Sequence, residues 1–308
     1  MPDEAERKRS GWGWFAIAAG LGGLAAYLYA SRIAARNYRL ERVKVWLGNG
    51  MDKSNQPVIE KGKQRFSILH LSDLHLCRGD DDKAAFLKMI TDEEYDLVVI
   101  TGDIFENESG FAYAPSLLTR KPRLGAYAVL GNHDYYAYTL FNKTIGEVVR
   151  PWSTPSQMRS VAGHIAALEN HGYRVLRNEL VRINSDKLAI IGIDFPTIER
   201  EDLDKLVGET EPDELLIALF HKPKNLAMLS QAGIKLALGG HTHGGQVRVP
   251  GVGAIITKSE MPRSEASGLV WRGDTAFHIS RGLGADPRTN IRLFCPPAAT
   301  VIEVMSEI

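Results

Sequence analysis

Four short stretches of this chain join carboxylates, a carboxamide and imidazoles to glycine. They are Asp73-Leu74-His75, Gly102-Asp103, Gly131-Asn132-His133-Asp134 and Gly240-His241-Thr242-His243-Gly244-Gly245, and a lone His221 lies between the last two. Carboxylate and carboxamide oxygens mixed with imidazole nitrogens suit Mn, Fe, Zn or Co, suit Ca poorly, and bring no thiolate set for a structural zinc site. A carboxylate such as Asp103 can bridge two ions about 3.5–4 Å apart. Spacing of i, i+2 in Asp73-x-His75 and His241-x-His243 is expected to turn both side chains of a pair to one side of an extended segment. Gly-Asp alone signifies nothing and Asp-x-His little. Two histidines within Gly-Gly-x-x-x-Gly-Gly signify more, because a structural role rarely needs them in such flexible backbone. In this order they read as the ligands of a two-metal hydrolase.

Each stretch follows a segment that reads as a strand. Phe66 to Leu71 precedes Asp73, and Tyr95 to Thr101, a continuous apolar run of the kind buried on both faces, precedes Asp103. Gly125 to Leu130 precedes Asn132, Glu214 to Phe220 precedes His221, and Lys235 to Leu238 precedes His241. Further strands are expected at 174–176 and 187–193. Helices are expected over Lys83 to Thr91, Ser156 to His171, Glu201 to Val207 and Lys224 to Ala232. Alternating strands and helices predict a layered α/β core with the ligands at the carboxyl ends of its strands. The last third changes to short strands at 246–250, 268–271, 275–280 and 299–304.

The ordered set resembles the calcineurin-like metallophosphoesterase superfamily from about Ile68 to the C-terminus. It is most similar to the membrane-anchored bacterial branch. That resemblance rests on Ser72-Asp73-Leu74-His75-Leu76, Gly131 to Tyr135, Leu176-Arg177-Asn178-Glu179 and Gly240 to Gln246, with Ser280 to Gly284 and Ile291-Arg292-Leu293 in the tail. It implies a four-layer αββα sandwich. It also implies that Asp73, His75 and His243 hold one divalent ion and Asn132, His221 and His241 a second, with Asp103 shared and Mn the expected metal. The same resemblance makes His133 the group that stabilises developing charge or protonates the leaving oxygen, and Asp134 could fix its tautomer. Two departures spare every ligand: Lys222-Pro223 after His221, and Ala298 after Pro296-Pro297. Residues 138–159 look inserted, as a lid, a membrane-dipping segment or a plain loop. Arg281 either approaches substrate or forms a structural ion pair. His70 and His278 are expected to be structural, His164 and His171 to lie at the surface, and Cys77 to be a small buried thiol.

The N-terminus sets the context. Gly11 to Ala30 is twenty residues without a charge, enough helix for roughly 30 Å, with Trp12 and Trp14 at one end and Tyr27 and Tyr29 at the other. An uncleaved transmembrane anchor is preferred over an export signal, because no small-x-small cleavage site follows. The expected division is a flank at 1–10, the anchor at 11–30, a basic connector and first strand region at 31–62, and the metallophosphoesterase domain at 63–308. The connector either lies against anionic headgroups or simply runs into a strand. Basic residues are more numerous after the run than before it, which favours the cytoplasmic side of the inner membrane. Zero formal net charge and no basic–aromatic stripe speak against nucleic acid. Cys77 and Cys295 are too few for a disulfide framework. The site and anchor together predict hydrolysis of a phosphodiester or pyrophosphate bond, with a lipid-linked phosphoester as partner. Within the resembled branch the specific substrate would be UDP-2,3-diacylglucosamine of lipid A synthesis. A catalytically inactive metal-binding membrane scaffold and a nuclease-type phosphodiesterase remain the alternatives.

Overall fold

The computed structural model describes residues 18–47, 63–137, 157–257, 259–285 and 290–306. In chain order the first strands are β1 (Arg39–Trp46), β2 (Lys63–Leu71), β3 (Leu97–Thr101), β4 (Ala126–Val129), β5 (Tyr136–Ala137), β6 (Gln157–Met158), β7 (Arg174–Val175) and β8 (Glu179–Ile183). They are followed by β9 (Leu188–Gly192), β10 (Leu215–Leu219), β11 (Leu236–Gly239), β12 (Arg248–Val249), β13 (Gly253–Ala254), β14 (Gly268–Arg272), β15 (Thr275–Ile279) and β16 (Ala298–Ser306). Two six-stranded sheets result, ordered β1-β16-β2-β3-β4-β7 and β14-β15-β11-β10-β9-β8. Strands β2, β3 and β4 pair in parallel in one sheet, and β9, β10, β11 and β15 in the other.

Fully buried strands explain the unbroken apolar runs. In β3, Leu97 and Val99 enter the layer between the sheets, and Val98 and Ile100 face the opposite way. In β10, Leu215, Ile217 and Leu219 point between the sheets, and Leu216 and Ala218 point outward. A period of two then covers both faces with apolar side chains. Helix α2 (Asp81–Thr91) and, after the single turn of α3 (Asn132–Tyr135), helix α4 (Ala162–Glu169) cover the first sheet through Leu87, Ile90 and Leu168. Helices α5 (Arg200–Gly208) and α6 (Leu226–Gln231) cover the second through Leu203 and Leu229. Helix α2 suits its place, with Asp81 and Asp82 in its first turn and Lys88 in its last, each complementing the macrodipole. The expected mixed α/β architecture is present, with its three apolar seams separating four layers.

Two expectations need correction. The helix expected over 156–171 runs only from Ala162, because Gln157 and Met158 pair with Tyr136 and Ala137 as strand. His164, expected at the surface, is buried among Phe105, Phe111 and Asp134. Among the described residues no helix is long and apolar enough to cross a membrane, and the expected anchor at 11–30 lies partly outside them. Helix α1 (residues 18–28) gives way to a wider turn at Tyr29–Ile33 and a tighter one at Ala34–Arg36. Its described part is about 16 Å long, half of a bilayer core. Residues 11–17 of the uncharged run lie outside the described residues, as do 138–156 of the expected insertion.

Ile217, fully buried between the sheets, should report on the seam that holds them together. Truncation in Ile217→Ala is expected to cost about 3 kcal/mol in urea unfolding through lost burial and a residual cavity.

Candidate metal centre

The ligand loops begin where parallel pairing leaves the strands. Beyond β2 and β3 the pairing continues irregularly: the Asp73 N–H donates to Gly102 O (3.0 Å), His75 to Asp103 O (2.9 Å) and Leu76 to Ile104 O (2.9 Å). Five candidate ligands have left-handed backbone: Asp73 (φ 50°), His75 (47°), Asp103 (54°), His241 (72°) and His243 (51°). Such conformations cost on the order of 1 kcal/mol each and persist where the surroundings impose them. The Asp-x-His and His-x-His pairs are therefore not extended segments, as the i, i+2 reading expected. Each converges because both of its members turn left-handed. Two glycines permit the crowding. A Cβ on Gly131 would strike the Asp103 carboxylate, and one on Gly240 would strike Ser72 Oγ and Asp73 Oδ2.

All seven expected ligands meet in one place. His75 Nε2 lies 3.4 Å from His243 Nε2 and 3.7 Å from Asp103 Oδ2, and His243 Nε2 is 3.4 Å from Asp73 Oδ1. On the other side, Asn132 Oδ1 lies 3.1 Å from His221 Nε2 and 2.9 Å from His241 Nδ1. Asp103 Oδ2 is 3.4 Å from His221 Nε2, so Asp103 stands between the two groups. Ligand atoms of Asp73, His75, Asp103 and His243 lie within 4.8 Å of one another, as do those of Asp103, His221 and His241. Six of the seven are buried and His241 is half-buried.

The opposite ring atoms have partners of their own. Thr101 O is 2.8 Å from His221 Nδ1. Glu106 Oε2 is 3.0 Å from His75 Nδ1, and Gly284 O is 3.4 Å from His243 Nδ1. For His221 and His75 these acceptors hold the proton on Nδ1 and turn the Nε2 lone pair inward, as a metal requires, whereas His243 Nδ1 also lies 3.4 Å from the Arg292 guanidinium. Among the described residues, Asp73 and Asp103 have no ion-pair partner except histidine. Two nearby carboxylates buried with inward imidazole lone pairs fit divalent cations by their donor chemistry.

Electrostatics agree. Burial, with Asp103 nearby, raises the Asp73 pKa against the pull of His221. Burial also opposes ionisation of Asp103, but His221, His133 and His75 outweigh it and hold its carboxyl well below the usual range. Burial opposes charge on His221 too, yet Asp103 pushes its pKa up to about 9. For His243, burial and His75 act together and lower the pKa well below the ordinary imidazole value.

Glu106 is the residue that sequence reasoning missed. The same Oε2 that meets His75 lies 3.0 Å from His133 Nδ1, and the two rings stand edge to face at 4.6 Å. Only its position three residues past Asp103, with Ile104 and Phe105 buried between them, could have signalled an acid turned back to the centre. Asp134 is corrected accordingly: it does not orient His133. Its carboxylate accepts the backbone N–H groups of Gly131 (2.8 Å), Asp103 (2.8 Å) and Ile104 (3.1 Å). It therefore ties the Asn132 loop to the Asp103 loop. The His133 N–H in turn donates to Asp103 Oδ1 at 2.7 Å.

Other residues fall in supporting places. Buried Lys83 donates to Leu74 O (2.8 Å), bracing the chain between two ligands. His70 and His278 pair at 2.9 Å beneath the centre, and His70 reaches Thr101 Oγ1 at 2.8 Å. Arg281 pairs with Glu41, which gives it the structural option left open above. Arg292 is fully buried and donates to the carbonyls of Arg281, Gly284 and His243. Cys77 is half-buried rather than buried, and both cysteines are free.

Residues 66–245 match the family model described as calcineurin-like phosphoesterase. The chain belongs to that family. This metallophosphoesterase is a hydrolase of phosphoric esters. It is 29% identical to the uncharacterized metallophosphoesterase YkoQ of Bacillus subtilis over 249 residues, covering 79% of this chain and 84% of that one. It is 28% identical to the phosphodiesterase YaeI of Escherichia coli, covering 78% and 82%. It is 26% identical to the UDP-2,3-diacylglucosamine pyrophosphatase LpxG of Chlamydia muridarum, covering 78% and 84%.

Two outcomes follow from the geometry. Glu106→Gln should cut metal affinity or turnover about 10- to 100-fold by loosening both histidines, read by titration calorimetry and steady-state kinetics. The ion-free site holds a proton on His221 below about pH 9, and a ligand must be neutral. Apparent metal affinity should therefore rise with pH up to that point, about tenfold per unit for each proton displaced, with proton release measurable in buffers of different ionisation enthalpy.

Proposed function

We propose that this metallophosphoesterase uses two divalent ions, Mn foremost, to hydrolyse a phosphodiester or pyrophosphate bond in a lipid-linked substrate at a membrane surface. The observation that carries the reaction class is the pair of ligand groups meeting at Asp103. Asp73, His75, Asp103 and His243 would hold one ion, and Asp103, Asn132, His221 and His241 the other. Ions bound there would supply Lewis-acid polarisation of phosphoryl oxygens and a water of lowered pKa.

The chain's own groups do the remaining work. Glu106 keeps the proton on Nδ1 of His133, so Nε2 is the ring atom that transfers a proton to the leaving oxygen. The His133 backbone N–H donates to Asp103 Oδ1, so the acid moves with the carboxylate shared by the two ligand groups. Asp134 locks the loops of both.

The substrate reading rests on relatives and on placement. LpxG carries the name of a UDP-2,3-diacylglucosamine pyrophosphatase, and YaeI that of a phosphodiesterase. The uncharged run Gly11 to Ala30 ends beside the centre, where the Arg292 N–H donates to Ala30 O at 3.1 Å. Attachment of the cell membrane to that run would put lipid headgroups next to the ions, and the basic excess after it favours the cytoplasmic side.

The test is hydrolysis of a chromogenic bis-aryl phosphate with Mn present. Activity should vanish with a chelator, return with Mn, and fall about 10²- to 10⁴-fold in His133→Ala. No turnover with Mn, Fe, Zn or Co would overturn the reading in favour of a scaffold. Full-length protein in detergent should turn over a lipid-linked pyrophosphate faster than a soluble phosphodiester, and equal rates would remove the lipid reading.

A further inference from the structure

The loop following His243 leads directly to exposed apolar side chains. After Gly245 the chain forms the hairpin of β12 and β13, whose turn exposes Val252 by 71%, and Ile255 and Ile256 follow at 43% and 60%. Phe294 is 64% exposed, although a phenyl ring ordinarily favours burial. A backbone ladder joins these pieces. The Leu293 N–H donates to Gln246 O (3.0 Å) and the Arg248 N–H to Leu293 O (2.9 Å). One residue back, the Arg292 N–H meets Ala30 O (3.1 Å), and Asn290 Nδ2 donates to Ser31 O (3.3 Å). Strand-like neighbours lie about 5 Å apart. The hairpin, Phe294 and the end of α1 are therefore side by side, and Leu21, Leu24, Tyr29 and Ile33 of the N-terminal segment are themselves more than half exposed.

We infer that the β12–β13 hairpin and Phe294 form a second membrane-contacting face beside the N-terminal segment, seating the metal centre at the lipid surface. The occupant is the bilayer because the face is continuous with a run of twenty uncharged residues that extends seven residues beyond the described structure, to Gly11. A chain held by that run has its exit point pinned at Ala30, so the hairpin cannot be far from the same lipid. Short aliphatic and aromatic side chains at turns insert into the headgroup–acyl boundary without spanning it. Exposed Arg32, in the last turn of Tyr29–Ile33, can reach headgroup phosphates by snorkelling. Contiguous apolar surface of this kind marks an interaction site. The inference shares the membrane placement proposed above, but does not depend on the phosphoesterase reading.

The full chain, carrying Cys77→Ser, is labelled with a nitroxide at Val252→Cys or Ile256→Cys. A control carries the label at Lys205→Cys on exposed α5. Each is reconstituted into vesicles of phosphatidylethanolamine and phosphatidylglycerol and floated on a density gradient. The proteins should float, with the hairpin labels relaxed more by oxygen than by a water-soluble nickel chelate and the control the reverse. Floating protein with hairpin labels as nickel-accessible as the control would overturn the inference and leave the anchor standing. Failure to float would overturn both, and spin–spin broadening between copies would assign the face to self-contact and overturn the inference. Val252→Asp added to the protein labelled at Ile256→Cys should shift that label from oxygen-accessible to nickel-accessible while keeping turnover of soluble bis-aryl phosphate. Loss of that soluble turnover in the parent chain counts only against the phosphoesterase reading.

Discussion

Two carboxylates, Asp73 and Asp103, sit almost wholly out of water, and among the described residues their ion-pair partners are imidazoles rather than lysine or arginine. Buried charge of one sign is costly unless compensated. The rest of the centre is arranged around that cost. Left-handed backbone at five ligands aims their side chains at a common point, and glycine at 131 and 240 lets neighbouring loops come close enough to share it. Strain and charge here have one physical answer, which is a cation-binding set of oxygen and nitrogen donors.

What keeps the set rigid is a shell of groups that never need to touch an ion. Asp134 joins the Asp103 and Asn132 loops through three backbone N–H groups, and Lys83 braces Leu74 between Asp73 and His75. Glu106 spans a ligand and the candidate acid with one oxygen, so His75 and His133 share their orientation. Arg292 gathers the carbonyls around the His243 loop and through its backbone fixes the end of the N-terminal segment. The centre and the apolar rim are thereby parts of one hydrogen-bonded assembly.

Much of this was legible from residue order. The strand runs before each ligand stood out because strands buried on both faces must be apolar throughout, and β3 and β10 are. Side-chain chemistry alone selected Asp73, His75, Asp103, Asn132, His221, His241 and His243. Glu106 did not stand out, since nothing local distinguishes an acid folded back on two histidines from one in water. Asp134 was assigned to its sequence neighbour His133, whereas its carboxylate reaches backbone 30 and 31 residues away. His164 looked like a surface residue because its aromatic neighbours Phe105 and Phe111 are distant in sequence.

Residue type and spacing thus determined the family, the α/β class and the candidate metal-binding groups, because donor chemistry and apolar periodicity are local properties. Tertiary structure alone decided how the i, i+2 pairs converge, which acid orients which imidazole, and that the end of the uncharged N-terminal run lies against the metal-ligand loop. Those are contacts between segments far apart in the chain, set by how two sheets and their covering helices pack, and no local pattern encodes them.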